Sequence, residues 1–209
     1  DGAPGVSVND LNGAEVGDNS IAEDATTPVT GTFTVTAPDG LKQISVGGIT
    51  VTAEQLGNLG TTPVNITGSE GQLTLTGFNE TTGEVTYRYQ QSGTSKDHNA
   101  GDDSVTDSFP IIVTDNADES TTPDNLVILI TDTAPVANAD TNSVDEDSGT
   151  PATGNVISDT GSGEDDIGAD TTTVTGVTTG TASGELTGAV GGNVVGSYGT
   201  LVLGSDGEY

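Results

Sequence analysis

The stretch GQLTLTGFNETTGEVTYRYQ, Gly71 to Gln90, decides the fold class. In its first half Leu73 and Leu75 alternate with Thr74 and Thr76, and in its second half Val85, Tyr87 and Tyr89 share a face. Strict alternation is the period of a half-buried strand. The intervening NETTG, Asn79 to Gly83, has the chemistry of a turn, so the stretch reads as a hairpin. The same pattern extends in both directions. TGTFTVT (30–36) puts Phe33 and Val35 on one face against three threonines, APDG (37–40) supplies a turn, and LKQISVGG (41–48) continues as a strand. SFPIIVT (108–114) aligns Phe109, Ile111 and Val113, and NLVILIT (125–131) is apolar on both faces. No helical periodicity of useful length interrupts these runs. Short strands between Gly, Asp, Asn and Pro turns predict an all-β chain built as an antiparallel β-sandwich. Its expected core is Phe33, Val35, Ile44, Leu73, Leu75, Val85, Tyr87, Phe109, Ile111, Val113, Ile128 and Ile130.

A repeated phrase then divides the chain. SIAEDATTPVTG, from Ser20, returns as SVDEDSGTPATG, from Ser143, with seven of twelve positions identical, Glu23/Glu146 and Asp24/Asp147 among them. An internal repeat of this kind marks related modules. The expected boundaries are residues 1–132 and 133–209, joined through TDTAPVANAD (131–140) without a flexible Gly/Ser linker. The second module offers only GNVISD, TTVTGVT and YGTLVLGSDGEY as strands and reaches Tyr209 where a return strand would begin, so it is expected to be incomplete.

Composition narrows the function. Thirty-two acids against three basic residues give a formal charge of -29, which disfavours nucleic acid and anionic membrane surfaces, because both are bound through Lys and Arg. No apolar run approaches the ~20 residues of a membrane span. Without cysteine there is neither a disulfide framework nor a thiolate site, and a structural metal is one remaining way to stabilise a core-poor domain. Catalysis fits poorly: the single histidine, His98, lies in the polar loop KDHNAGDD, and no nucleophile motif or phosphate loop is present.

The segment from Ser143 to Tyr209, with its early acidic phrase and its YGTLVLGSDGEY hairpin, resembles a VCBS-type repeat. The first module, with TVTAPDGLKQISVGGITVT, GQLTLTGFNETTGEVTYRY and DSFPIIVTDNADES, resembles the repeat domains of giant proteins exported by type I secretion. Both are similar to the tandem extender domains of bacterial RTX, or biofilm-associated, adhesins. The resemblance implies cadherin-like or immunoglobulin-like β-sandwiches in series, Ca²⁺ at their junctions, and display at the bacterial cell surface. The glycine-rich nonapeptide of such adhesins is missing from this sequence.

The acids are the candidate ligands. Ca²⁺ takes six to eight oxygens, largely carboxylates and carbonyls, and adjacent acids supply them: Glu23/Asp24, Asp102/Asp103, Asp115/Asp118/Glu119, Asp132, Asp140, Asp145/Glu146/Asp147 and Glu164/Asp165/Asp166. By analogy with cadherin-like topology, Glu23, Asp24, Asp102, Asp103, Asp132 and Asp140 are expected at the junction of the two modules. Asp115, Asp118 and Glu119 belong at the opposite end of the first, and Glu146 and Asp147 at a following junction. The DEDSG run does not have the spacing of an EF-hand. The leading expectation is a calcium-stiffened structural extender of a secreted adhesin, whose partners are neighbouring domains of the same long chain. The alternatives are a glycan- or ice-binding module, suggested by the TxT patterns in TFTVT, QLTLT and TTTVT, and a filament subunit that self-associates by strand addition to an open sheet edge.

Overall fold

A computed structural model of the chain describes residues 2–13, 16–93, 96, 103–158 and 163–209. The chain is nearly all β and divides into two compact units, residues 1–132 and 133–209. The strands of the first unit are β1 (Gly5–Val8), β2 (Asn19–Ala22), β3 (Val29–Thr36), β4 (Leu41–Val46), β5 (Ile49–Thr52), β6 (Val64–Thr67), β7 (Gly71–Asn79), β8 (Glu84–Gln91), β9 (Ser104–Asp115) and β10 (Asp124–Thr131). They form two five-stranded sheets, ordered β1-β3-β8-β7-β6 and β2-β10-β9-β4-β5. The sheets pack as the layers of a sandwich. Every strand pairing is antiparallel except β2 with β10, which is parallel.

The β7–β8 hairpin forms where its alternation places it, with Leu75 opposite Tyr87 and Leu73 opposite Tyr89. The APDG turn does something the alternation does not reveal: it carries the chain from one sheet to the other, because β3 and β4 lie in different layers. A five-residue helix, α1 (Ala53–Gly57), follows β5. The Thr52 side chain accepts from the Gln55 N–H and the Gln55 side chain accepts in return from the Thr52 N–H, a reciprocal cap that supports so short a helix. It delivers Leu56, and the turn after it Leu59, into the core.

All twelve residues expected in the core are buried, joined by Ile21, Val46, Val51, Ile66, Tyr89 and Leu126. Two polar ties cross between the layers. Asn19 of β2 donates to the Tyr87 hydroxyl at 3.2 Å. The Tyr89 hydroxyl donates to Asp107 of β9 at 2.9 Å, and Asp107 also accepts from the Ser69 and Glu70 N–H groups at 3.0 and 3.1 Å. A buried carboxylate with this many donors has its desolvation offset. Burial first, then Asp107, pushes the Tyr89 phenol well above its ordinary value. Gly68 leaves room for the contact, since a Cβ there would stand 2.1 Å from Asp107 Oδ2.

In the second unit the described residues form one two-stranded sheet, β11 (Asn193–Val195) with β12 (Thr200–Val202). The expected strands GNVISD and TTVTGVT contribute only isolated bridges, at Asn155 and Gly176. The physical reason is a shortage of burial: Leu203 is its one large buried hydrophobic residue among those described, while Val136, Val144, Ile167, Val195 and Tyr198 are exposed. No helix among the described residues is long and apolar enough to cross a membrane.

The tie through Asp107 sets a ranking. Tyr89→Phe removes one donor of several and is expected to lower stability by about 1–2 kcal/mol. Asp107→Ala strands the buried Tyr89 hydroxyl and the Ser69 and Glu70 N–H groups of the opposite layer and is expected to cost about 3 kcal/mol or more. Urea denaturation midpoints check the order; equal midpoints for the two variants would contradict it.

Candidate metal centre

Three strands of one sheet end together. β2 runs parallel to β10 with Ala22 opposite Thr131, and β10 runs antiparallel to β9 with Thr131 opposite Ser104. One residue further on, the Glu23 N–H donates to the Thr131 carbonyl at 3.0 Å and the Asp132 N–H donates to the Asp103 carbonyl at 2.9 Å. The ladder thus carries Glu23, Asp132 and Asp103 to neighbouring positions at one end of the sandwich.

The two-residue period decides which of them point inward. Asn19 and Ile21 face the core on β2, so Glu23 does too, and it is fully buried. Leu126, Ile128 and Ile130 face the core on β10, so the next inward position is Asp132. A carboxylate oxygen of Glu23 lies within 4.8 Å of one from Asp132. Two ionised carboxylates that close repel by about 3 kcal/mol at an effective dielectric near 20. Asp132 Oδ1 is buried and accepts no hydrogen bond, so an acceptor without a donor faces a second acid. A hard cation would resolve both problems, and an all-oxygen donor set is of the kind that could hold Ca²⁺.

The remaining expected ligands are distributed differently. Asp24 is exposed, one position out of phase with Glu23, and Asp103 is exposed at its side chain although its carbonyl serves Asp132. Asp102 and His98 lie outside the described residues. Asp115 and Asp118 stand at the far end of the twelve-residue strand β9, about 36 Å away at the rise of an extended strand. They have turn-building tasks. Asp115 is fully buried; its Oδ1 accepts from the Ala117 and Glu119 N–H groups, both at 2.9 Å, while its Oδ2 is buried without a donor but has no second carboxylate of the candidate cluster beside it. Asp118 adopts a φ of 68° and pairs with Lys42. Asp140, Glu146 and Asp147 belong to the second unit; Asp140 is half-buried beside Gly163, and Glu146 and Asp147 are exposed.

Three polar residues of structural weight were not among the expected ligands. Asp107 is the inter-sheet tie described above. Gln91 continues the inward stripe of Val85, Tyr87 and Tyr89 from the opposite sheet, and its Oε1 is buried without a hydrogen-bond donor. The signal for it was a polar residue in phase with an apolar stripe. Asp18 Oδ2 accepts from the Val127 N–H at 2.8 Å. Burial raises the Asp18 carboxyl above its ordinary value; the Val127 bond opposes that shift, and Asp124 and Asp10 reinforce it. Comparison with family models, curated proteins and solved structures returned no match for this chain.

Two outcomes separate these roles. Asp115→Ala should destabilise the first unit by about 2 kcal/mol to the same extent in EDTA and in calcium, as a turn cap would; a loss seen only with calcium would make it a ligand. For Asp18 the folded pKa exceeds the unfolded one, so its contribution is intact in acid and is lost as pH rises through the folded value. Asp18→Asn keeps an acceptor for Val127 and should therefore melt higher than the wild type at neutral pH, with the gap closing as pH falls below the ordinary Asp range. A gap that widened in acid would reverse the assignment.

Proposed function

We propose that this chain is a calcium-stabilised structural segment of a secreted adhesin, serving to extend and space binding modules carried elsewhere in the same protein. The observation that carries the reading is the pairing of buried Glu23 with Asp132 at the end of the first unit, where the chain passes on to Thr133. An ion held there braces the last turn of β2, the start of β9 and the exit from β10 together, making the end of the sandwich stiff. The family resemblance of both modules, the all-oxygen donor set and the charge of -29 support calcium over a transition metal, which favours the softer nitrogen and sulfur ligands.

A spacer is favoured over a ligand-binding face by the sheet order. The threonines of β3 and β7 are separated by β8, which inserts Arg88 between Thr30 and Thr74 and Glu84 between Thr34 and Asn79. An uninterrupted threonine array of the kind an ice-binding face requires is therefore not formed by these strands.

An ion that binds only the folded state at a hundred times its dissociation constant adds about 2.7 kcal/mol, or roughly 10 °C for a domain of this size. The first unit should melt about that much higher in millimolar calcium than in EDTA, and Glu23→Gln with Asp132→Asn should erase the difference. Identical melting curves for the wild type in the two buffers would overturn the reading.

A further inference from the structure

The strand-end acids around the candidate site come from one sheet. Glu23, Asp103 and Asp132 follow β2, precede β9 and follow β10, which are neighbours in a single layer. An ion bound by that layer alone would brace strands that are already hydrogen-bonded to one another. The facing layer also presents a group.

We infer that Gln91, on the opposite sheet, supplies an oxygen to the same cation, so that the ion locks the two layers of the sandwich together. This rests on the calcium reading of the site and extends it. Three observations point to Gln91. It is the next inward position after Val85, Tyr87 and Tyr89 on β8, and it is only 7% exposed. Its Oε1 is buried and accepts no hydrogen bond, which is costly for an amide oxygen unless something outside the protein's own donors meets it. The end of β8 is also fastened to the segment that carries Glu23, because the Gln90 Nε2 donates to the Ala25 carbonyl at 2.8 Å. Layers of a sandwich stand ~10 Å apart, so groups that meet between them must be long. Glu23 and Gln91 are the long polar side chains on the inward stripes at this end, whereas the aspartates are one methylene shorter.

An amide oxygen is an ordinary calcium ligand, and its neutrality matters here. A further carboxylate would add to the repulsion among acids in the ion-free state, and an amide does not. Removing the amide therefore has opposite consequences in the two states. With calcium it deletes a ligand. Without calcium it deletes a buried acceptor that no donor satisfies.

The experiment is a calcium titration by calorimetry on the whole chain, wild type against Gln91→Leu, with melting of both in EDTA. The expected result is a loss of affinity of about tenfold or more in Gln91→Leu, together with a melting temperature in EDTA equal to or above that of the wild type. Unchanged affinity in a wild type and variant that both bind calcium overturns the role of Gln91 and leaves the calcium reading standing. A wild type that binds no calcium overturns both. Hydrogen exchange on the wild type gives a check independent of the variant: calcium should slow exchange at residues 89–92 as well as at 22–25, and protection confined to 22–25 would overturn the link between layers.

Discussion

A strand shows its two faces alternately, and it cannot change which face a residue occupies without breaking the ladder. That constraint turns Glu23 and Asp132 inward at the end of the sandwich, Glu23 fully buried and Asp132 partly so, because each follows an inward hydrophobic residue at an interval of two: Ile21 before Glu23, Ile130 before Asp132. The same ladder that buries Phe109, Ile111 and Val113 at the middle of β9 also buries Asp107 and Asp115 nearer its ends. Polar groups therefore occupy core positions because the apolar stripe runs on past the apolar core. Each such group needs a partner, and the partner it has defines what that part of the protein does.

The inward-facing acids differ in this respect. Asp107 is met by a tyrosine hydroxyl and two backbone N–H groups drawn from the opposite layer, so it serves as a fixed tie between sheets. Asp115 uses one oxygen to close its own turn. Asp132 keeps one buried oxygen to which no protein group donates, and it has a second carboxylate within 4.8 Å. Asp107 is complete as built from the chain's own atoms, whereas Asp115 Oδ2, like Asp132 Oδ1, is buried without a hydrogen-bond donor. What sets Asp132 apart is the second carboxylate beside it, and the function proposed for the chain rests on that pairing.

Much of the first unit was legible in its sequence. Alternation alone located six of the ten strands, β3, β4 and β7 to β10, and the twelve expected core residues; the four-residue strands β1, β2, β5 and β6 are too short to show a pattern. The parallel pairing of β2 with β10 and the change of layer at APDG were not legible, since alternation says which face a residue takes and nothing about which strand lies beside it. In the site, the acidic character of Glu23 and Asp132 was visible, but Asp24 looked equivalent to Glu23 until phase placed one outside and the other within. Asp115 and Asp118 looked like ligands because an acid that caps a turn and an acid that binds an ion are the same residue in a sequence. Gln91 was passed over because it carries no charge, although it continues the stripe of Tyr87 and Tyr89. In the second unit the expected strands failed for lack of apolar partners: a pattern such as TTVTGVT alternates correctly but offers little surface to bury.

The central claim is that a hard cation sits between Glu23 and Asp132 at the end of the first sandwich. The most direct test is an anomalous difference map from crystals of the protein grown with terbium in place of calcium. The account predicts a strong peak within ligand distance, about 2.3–2.6 Å, of an oxygen from each of those two residues. A map with peaks only on exposed surface acids, and none between Glu23 and Asp132, would contradict it.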